Sequence, residues 1–374
     1  MNKKLFIVVN VDWFFLSHRL PIALAAQSSG WDVTVITANT GQFDKILSYG
    51  LKAINLPMSR SGMNIFEELN TLKFLYKLYK KEKPDVVHHV GMKTILWGTL
   101  AARFAQVKGV VNAISGLGGF FADDNKGLLS KLLPSVLRFS HNRKNLLCIF
   151  QNNDDWNLYV KHRIISHGQG RFIKGSGVDL NKFSYTPEPD KGKIRVILTA
   201  RMIAEKGIFL LTEASERLRK KYEPQVEFLL VGGLDDHPGA ITKEQLDAVC
   251  DGNYIKWLGY RSDIPSLLRQ CHIMAFPSYY MEGLPKSLIE ANAIGRPIIT
   301  SNSVGCRDAV VDGYNGFLIR PKDVHALTEK LDLLIADKDL RIQMGRNARK
   351  YAEKYFSLDL VIQKHLAIYN ELIS

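Results

Sequence analysis

Cysteine is scarce in this sequence: the four cysteines, Cys148, Cys250, Cys271 and Cys306, stand far apart. Zinc sites and disulfide frameworks need closely spaced or paired cysteines, so neither is indicated. A reducing cytoplasm is the simplest setting for such a chain. Long hydrophobic runs are also missing, since no stretch reaches the roughly 18 apolar residues that a membrane-spanning helix requires. The sequence therefore predicts a cytoplasmic protein that is soluble or attached to a membrane surface.

Glycine is absent from the turn that follows the first apolar run, residues 5–11. A dinucleotide-binding turn would need Gly-x-Gly-x-x-Gly there, so that class of site is excluded. The run follows Lys3 and Lys4, as in a signal peptide, but Asp12 ends it early and no small-residue cleavage site follows. We therefore expect this run to be a buried parallel strand.

Strand-like and helix-like segments alternate along the chain, which is typical of doubly wound parallel sheets. The predicted strands are residues 5–11, 33–37, 86–88, 110–114 and 147–151, and then 194–200, 226–231, 255–258, 272–276, 297–300 and 316–319. The predicted helices include residues 17–28, 65–81, 96–105, 324–336, 339–354 and 358–373, with Ser17 capping the first. A stretch rich in proline and charge, residues 186–193, has the composition of a linker. With 374 residues and 46% hydrophobic content, the chain can bury two cores.

Two acids flank a predicted strand–turn–helix junction. The word Glu282-Gly283-Leu284-Pro285-Lys286-Ser287-Leu288-Ile289-Glu290 follows the predicted strand 272–276. Pro285 suits the first helical position, and the free N–H groups that follow can bind a pyrophosphate. Glu282 precedes the helix and Glu290 lies about a turn and a half inside it, so the two carboxylates can reach different ends of one ligand. Carboxylates accept hydrogen bonds from the vicinal diols of a hexose and a ribose, so this word is suited to a sugar nucleotide.

Two cations follow another predicted strand, residues 194–200. Arg201 and Lys206 lie in the turn after it, and a helical pattern begins near Gly207. Open α/β sheets bind ligands at the carboxyl ends of their strands, so both cations are predicted to face a ligand. A solvated loop is the alternative for any single Arg/Lys pair. The Glu282 to Glu290 motif, about 80 residues later, argues against a merely solvated loop.

The acidic word and the Arg/Lys turn together resemble the retaining glycosyltransferases of family 4, over essentially the whole chain. The resemblance implies the GT-B fold, an α/β architecture of two Rossmann-like domains with doubly wound parallel sheets facing a central cleft. The corresponding domains are residues 1–183, on the acceptor side, and 184–355, which bind the nucleotide sugar. In such enzymes the last helix, here about 356–374, packs back on the first domain.

The resemblance also implies roles for the motif residues. Arg201 and Lys206 would stabilise the departing diphosphate, Glu282 would contact the donor sugar, and Glu290 would hold the ribose. Retention by same-face attack requires no protein nucleophile. With two cations and a helix terminus for the diphosphate, we expect no metal and no cofactor. Asp235-Asp236-His237 and Asp123-Asp124 resemble carboxylate metal clusters only in composition.

Positive charge is concentrated in the first half of the chain. Residues 1–180 hold 23 Lys/Arg against 12 Asp/Glu, net +11, and the remainder holds 27 against 25, net +2. No nucleic-acid motif is present, so we expect no nucleic-acid partner. Two segments, residues 74–81 and 126–139, combine leucines and aromatics at helical spacing with cations. They are either ordinary packing helices or surfaces that bind an anionic membrane; the charge excess favours the membrane, at the inner face of the cell membrane.

Three turns of the first domain are candidates for the acceptor side. The first carries His18 and Arg19, the second His88 and Lys93, and the third Ser115 and Gly116. For His18, His88 and His89, a hydrogen-bonded structural imidazole is the equal alternative. In the first, aromatics replace glycines that many family 4 members carry. Lys93 and the word Ser115-Gly116-Leu117-Gly118 resemble the subset that extends sugars on undecaprenyl diphosphate. The histidine that other members place near Ser115 is absent.

The resulting prediction is a retaining glycosyltransferase that moves a hexosyl or N-acetylhexosamine unit from a nucleotide sugar, with uridine diphosphate N-acetylhexosamine favoured, to a polyprenyl-diphosphate-linked glycan. A sugar-nucleotide epimerase of the same fold is one alternative, but the lopsided charge argues against it. A non-catalytic subunit that binds donor or lipid is another. Such a subunit would be expected to lose one of the four motif residues, and all four are present.

Overall fold

The computed structural model describes residues 3–58, 65–116 and 128–374, which form two compact units. The first unit comprises Met1–Ser176 together with Asp359–Ser374, and the second comprises Gly177–Leu358. Each unit is built on one parallel sheet with helices on both faces. Within the described residues, no helix is long and apolar enough to cross a membrane.

The sheet of the first unit has seven parallel strands in the order β3-β2-β1-β4-β5-β6-β7. The strands are β1 (Lys3–Val11), β2 (Trp31–Ala38), β3 (Lys52–Asn55), β4 (Val86–Val90), β5 (Gly109–Ile114), β6 (Leu146–Phe150) and β7 (Gly170–Phe172). Its helices are α1 (Asp12–His18), α2 (Leu20–Ser28), α3 (Phe43–Ser48), α4 (Ile65–Glu82), α5 (Met92–Ala105), α6 (Leu128–His141) and α7 (Asn153–Lys161). The side chains of β1 alternate between two hydrophobic cores. Leu5, Ile7 and Val9 pack into the core on one face of the sheet, and Phe6 and Val8 pack into the core on the other. This two-sided burial explains why the strand is a continuous apolar run.

The start of the chain differs from the prediction in two respects. The single helix predicted for residues 17–28 is two helices, α1 and α2, that meet at Arg19. Pro21 lies in the first turn of α2, where its missing N–H costs nothing, and Ser17 lies inside α1 instead of capping a helix. Strands β3 and β7 were not predicted, since both are short edge strands with little apolar patterning.

The sheet of the second unit has six parallel strands in the order β10-β9-β8-β11-β12-β13. They are β8 (Ile194–Thr199), β9 (Val226–Val231), β10 (Ile255–Trp257), β11 (Ile273–Phe276), β12 (Ile298–Ser301) and β13 (Gly316–Ile319). The helices are α8 (Ile208–Tyr222), α9 (Lys243–Val249), α10 (Ile264–Arg269), α11 (Lys286–Ile294), α12 (Val324–Ala336) and α13 (Lys338–Tyr355). All six strands were predicted, with bounds that differ by at most one residue.

The stretch 186–193, predicted as a linker, is packed against the second unit. Glu188 forms an ion pair with Arg341 at 2.9 Å, and both side chains are buried. Arg296, itself buried, donates from Nη1 to the carbonyl of Thr186 at 2.8 Å. The division between the units falls between Ser176 and Gly177, earlier than the predicted boundary after residue 183. Composition alone missed this because Glu188 has a buried partner, Arg341, on a helix that is distant in sequence.

The last helix, α14 (Leu358–Glu371), packs on the first unit. Its residues Val361, Ile368 and Tyr369 share the core that contains Leu5 and Ile7. The Tyr369 hydroxyl lies 2.8 Å from Nδ1 of His88 on β4. The C-terminal helix therefore contributes both apolar and polar contacts to the interior of the first unit.

Candidate active site

The carboxyl ends of β8 and β11 are adjacent in the sheet of the second unit. The two strands pair in parallel, with Ile273 opposite Val196 and Met274 opposite Ile197. The strand order reverses between them, because the chain passes from β8 to β9 on one side and reaches β11 on the other. Such a switch point leaves a crevice at the carboxyl edge, where doubly wound sheets bind ligands.

Lys206 and Glu282 form an ion pair in this crevice. The Lys206 Nζ atom lies 2.7 Å from Glu282 Oε2, and the side chains are 8% and 18% exposed. The other carboxylate oxygen accepts a hydrogen bond from Ser278 Oγ at 3.3 Å, and Lys206 Nζ also lies 4.7 Å from the centre of the Tyr280 ring. The structure thus joins two residues that the sequence analysis assigned to different parts of a ligand. Ser278 was not predicted, although it lies in the same turn as Glu282, four residues before it.

Arg201 lies at the end of β8 and is paired with Asp235. Its Nη1 atom donates to Asp235 Oδ2 at 2.9 Å, and the side chains are 39% and 9% exposed. The other oxygen of Asp235 accepts from the backbone N–H of His237 at 2.9 Å. The Asp235 carboxylate is therefore bound to the Arg201 guanidinium and to a backbone N–H. Across residues 3–58, 65–116 and 128–374, no three His, Cys, Asp or Glu side chains converge in the manner of a metal site.

The turn from β11 leads into α11, which begins at Lys286. Pro285 precedes the helix as its N-cap, with φ −61° and ψ 128°, so the prediction that Pro285 is the first helical residue is wrong by one position. Because its ψ is extended, Pro285 itself is not helical, and the helix begins with the next residue. Gly283 and Leu284 connect this proline to Glu282. The helix therefore begins four residues after Glu282, with its first-turn N–H groups at the same edge of the sheet.

Glu290 lies in the second turn of α11 and is largely buried. Lys286, one turn earlier, places Nζ 3.9 Å from Glu290 Oε1. Burial raises the pKa of the Glu290 carboxyl to about 7, and the positive charges of Lys286 and Lys182 oppose that rise. At neutral pH this carboxyl is therefore poised between its protonated and ionised forms.

The carbonyls of the turn after β11 leave almost no space beside Gly305. This glycine has φ +82°, and a Cβ built on it would lie 1.9 Å from the carbonyl oxygen of Gly283 and 2.4 Å from that of Glu282. Ser303, just before it, donates from Oγ to the carbonyl of Ser278 at 3.0 Å. The loop after β12 therefore supports the backbone that carries Glu282. Sequence reasoning did not identify this role, because a lone glycine carries no signal of what it touches.

His88 and Arg19, two of the acceptor-side candidates in the first unit, lie in its interior. His88 is fully buried within β4, which runs to Val90, so the predicted strand end at residue 88 is two residues too early and His88 does not lie in the turn after the strand. Burial lowers the pKa of His88 well below 6.5, and the nearby charges of His365, Arg19 and His89 add to that effect. Arg19 is 3% exposed, and burial lowers its pKa to about 10.

The other acceptor-side candidates are nearer the surface. The His18 ring stacks on Phe14 with centroids 4.2 Å apart. Lys93, in the first turn of α5, forms an ion pair with Glu68 of α4 at 2.7 Å. Ser115 and Gly116 follow β5 and are both half-buried; the rest of that glycine-rich word, residues 117–121, lies outside the described residues, as do Asp123 and Asp124.

Family models match both units. Residues 4–152 match the model described as "Glycosyl transferase 4-like", and residues 182–351 match "Glycosyl transferases group 1". A Campylobacter jejuni protein, N,N'-diacetylbacillosaminyl-diphospho-undecaprenol alpha-1,3-N-acetylgalactosaminyltransferase, is 30% identical over 96% of this chain and 98% of its own length. An Escherichia coli protein, UDP-Gal:alpha-D-GlcNAc-diphosphoundecaprenol alpha-1,3-galactosyltransferase, is 27% identical over 92% of this chain and 90% of its own.

Solved structures show the same fold. A glycosyltransferase from Rickettsia africae superposes with a TM-score of 0.80 at 21% identity, over the full length of both chains. Anabaena Alr3699/HepE, crystallised with UDP and glucose, superposes with a TM-score of 0.75 at 18% identity, over 98% of this chain and 99% of its own. The two parallel-sheet units therefore have the GT-B architecture, which confirms the predicted fold class. The chain belongs to the group 1, family 4-like glycosyltransferases.

We predict that Gly305→Ala impairs activity far more than stability. The added methyl group must displace the Gly283 carbonyl, and a shift of about 1 Å at a reacting centre can cost roughly a hundredfold in rate. Gly313 provides the matched control, since it has φ +74° but nothing within 4 Å of a Cβ. Both substitutions place a Cβ at a positive φ, so the control carries a backbone cost of this kind without the clash. Turnover and thermal unfolding of the pair check this; equal turnover in the two variants would contradict the bracing role.

Proposed function

We propose that this chain transfers a hexosyl or N-acetylhexosamine unit, with retention, from a nucleoside diphosphate sugar to a polyprenyl-diphosphate-linked glycan. The observation that carries the proposal is the Lys206–Glu282 ion pair between the turns after β8 and β11. Arg201 lies in the same turn after β8 as Lys206. The names of the Campylobacter and Escherichia relatives support the acceptor, since both describe transfer to a sugar on diphospho-undecaprenol. A uridine diphosphate N-acetylhexosamine is the favoured donor.

Arg201 and Lys206 would receive the diphosphate of the donor. Arg201 is the more exposed cation and can turn from Asp235 to a phosphate, while the buried Lys206 already lies in a low-dielectric position where its charge acts strongly. The helix start at Lys286 adds oriented N–H groups. Charge accumulates on the diphosphate as it leaves, so these groups stabilise the transition state more than the ground state. We propose that this set acts without a metal ion.

Glu282 and Glu290 would orient the donor. With one oxygen on Lys206 and the other on Ser278, the Glu282 carboxylate is held in place and retains lone pairs for sugar hydroxyls. Glu290 would accept hydrogen bonds from the ribose diol. In the reaction the bond from the anomeric carbon to the phosphate oxygen breaks, and the bond to the acceptor oxygen forms on the same face. The acceptor hydroxyl loses its proton to the departing phosphate oxygen, so the diphosphate leaves in protonated form.

The proposal predicts transfer of one sugar to a polyprenyl-diphosphate-linked N-acetylhexosamine in the presence of excess chelator. Purified protein is incubated with a panel of nucleotide sugars, and the product is identified by mass and by the NMR coupling of its new anomeric proton. Lys206→Ala should reduce turnover by roughly a hundredfold or more, the order for loss of one preorganised charge-stabilising group. Epimerised nucleotide sugar without acceptor indicates the epimerase alternative. Donor binding without any product indicates a binding subunit, and activity restored only by metal overturns the metal-free proposal.

The pKa of Glu290 predicts how donor binding depends on pH. Ribose hydroxyls donate to the carboxylate and favour its ionised form, so binding should release the proton that Glu290 holds below its pKa of about 7. Donor affinity is expected to be roughly tenfold weaker at pH 6 than at pH 8 and to level off above the pKa. Calorimetry with an intact nucleotide sugar measures this, because its diphosphate does not titrate in that range. Glu290→Gln should bind more weakly and lose the pH dependence; an unchanged profile in that variant assigns the effect to another group.

We also propose that the first unit adsorbs to an anionic membrane through α4, α5 and α6. Exposed apolar side chains occur on all three helices: Phe66, Leu69 and Tyr76 on α4, Phe104 on α5 and Phe139 on α6. Phe104 and Phe139 pair with centroids 6.2 Å apart, and Arg103 lies over the Phe139 ring at 4.4 Å. Exposed cations accompany them on α4 and α6. Aromatic side chains among cations are suited to the headgroup region of a bilayer.

Removing four of these cations should release the protein from anionic vesicles, since each contributes about 1 kcal/mol near such a surface. The test variant carries Lys77→Gln, Lys80→Gln, Lys81→Gln and Arg138→Gln. The control variant loses the same charge on the second unit through Lys191→Gln, Lys220→Gln, Lys350→Gln and Lys354→Gln. Co-sedimentation should fall in the first variant, remain in the control and weaken with salt. Equal binding of both variants would remove this surface from the proposal.

A further inference from the structure

The turn between β11 and α11, residues 277–285, contains neither helix nor strand. Because no regular ladder of backbone hydrogen bonds fixes it, the position of Glu282 depends on contacts from neighbouring elements. The start of the turn is packed against Gly207, where a Cβ would lie 2.5 Å from the carbonyl oxygen of Pro277. Its end is packed against Gly305 in the same manner. The middle of the turn is held by other contacts.

The carbonyl of Glu205, in the turn after β8, holds the middle of this turn through hydrogen bonds. It accepts from the backbone N–H groups of Tyr279 at 2.9 Å and Tyr280 at 3.2 Å, and from Ser278 Oγ at 3.2 Å. A carbonyl oxygen has two lone pairs, so three donors compete for it. These bonds alone therefore fix the middle of the turn less firmly than three separate acceptors would.

Lys322, in the turn after β13, contacts the Tyr279 side chain. Its Nζ atom lies 4.7 Å from the centre of the Tyr279 ring, within the range of a cation–π interaction. Lys322 forms no ion pair with an acid in the described parts of the chain. The carboxylate of Asp323 beside it accepts instead from the N–H of Ala326, in the first turn of α12. The aromatic ring is therefore the partner that the fold gives this ammonium.

The backbone of Lys322 has a conformation that favours glycine. The N–H of Asp323 donates to the carbonyl of Arg320 at 3.2 Å, which closes a four-residue turn with Pro321 second and Lys322 third. Lys322 has φ +66°. A positive φ at the third residue is the mark of a type II turn, where glycine is usual because a Cβ is strained there. Strain of this kind indicates that the side chain has a task.

Three other non-glycine residues among those described have a positive φ, and each follows the end of a helix. They are Lys83 after α4, Gln106 after α5 and Arg163 after α7. A left-handed residue satisfies free carbonyls at a helix C-terminus, so their conformation has a local reason. Lys322 lies before α12 instead of after a helix. What distinguishes it is the ring that its ammonium contacts.

We propose that Lys322 is a positioning residue for the glycosyl-transfer site, an inference that rests on the proposed function. The strained turn after β13 places its ammonium on the Tyr279 ring and thereby holds the turn that carries Ser278 and Glu282. The chain gives up some folding stability, which a glycine at residue 322 would restore, to fix the geometry of the Lys206–Glu282 pair. Lys322 acts through Tyr279 and does not contact the donor.

The first test compares Lys322→Gly with Lys83→Gly in the full-length protein. Both lysines are exposed and left-handed, and both substitutions relieve the backbone, so the midpoint of thermal unfolding should not fall in either variant. Turnover should fall about fivefold in Lys322→Gly, the order expected for loss of one cation–π contact, and should not change in Lys83→Gly. A merely structural lysine would lose activity together with stability, so lower turnover without lower stability supports the positioning role.

Two further variants separate the charge of Lys322 from its backbone. Lys322→Gln keeps the strained backbone and removes the charge, so its turnover should fall as in Lys322→Gly. Lys322→Arg should retain most of the turnover, because a guanidinium also binds an aromatic face. In a Tyr279→Leu background, Lys322→Gln should cause no further loss. An equal loss in both backgrounds overturns the proposal and assigns Lys322 a direct contact with the substrate, and unchanged turnover in Lys322→Gln overturns it outright.

Hydrogen exchange tests the positioning without relying on activity. The amides of Tyr279 and Tyr280, which donate to Glu205, should exchange faster in Lys322→Gln than in the wild-type protein and at the wild-type rate in Lys83→Gly. Unaltered exchange in Lys322→Gln overturns the proposal even where the wild-type protein transfers sugar. If the wild-type protein transfers no sugar but exchange responds as expected, the proposed function fails and the positioning of this turn by Lys322 stands.

Discussion

In a parallel sheet every strand delivers the chain to the same edge, and the chemistry of this protein follows from that constraint. Lys206 and Glu282 are 76 residues apart in sequence, yet they form an ion pair because β8 and β11 are neighbours that point the same way, and Arg201 follows β8 at the same edge. The first unit repeats the arrangement at β1 and β4, where Asn10 and Gly91 meet. Both units therefore place their polar groups at the point where the strand order reverses.

The free protein holds its site charges in pairs. Lys206 is neutralised by Glu282 and Arg201 by Asp235, so that neither cation nor carboxylate remains unpaired in a partly buried crevice. A bare buried charge would be costly, and pairing allows the site to exist without a ligand. In the proposed reaction, an incoming diphosphate competes with two carboxylates for two cations. Binding therefore exchanges one set of ion pairs for another, and the preorganised positions of the charges matter more for catalysis than for affinity.

The sequence was informative wherever a residue's surroundings are local. Strand periodicity and the motifs around Glu282 and Arg201 placed Arg201, Lys206 and Glu282 after the correct strands and Glu290 in the helix that follows. They also predicted the fold class. The partners of those residues could not be predicted: Asp235 and Ser278 carry no motif, and only the sheet order brings Asp235 to Arg201. His88 was misplaced because the burial of a histidine depends on α14, which is about 280 residues away. Tertiary contacts of this kind leave no local pattern.

The turn that carries Glu282, residues 278–283, is supported by two other loops. The loop after β12 contributes Ser303, which holds the Ser278 carbonyl, and Gly305, which lies against Gly283 without space for a side chain. The next loop contributes Lys322, whose Nζ lies 4.7 Å from the centre of the Tyr279 ring. Residues 278–283 are therefore positioned by two neighbouring loops that carry none of the four motif residues. Because these contacts position the turn that holds Glu282 2.7 Å from Lys206, we expect substitutions in either supporting loop to act on the candidate site through its geometry.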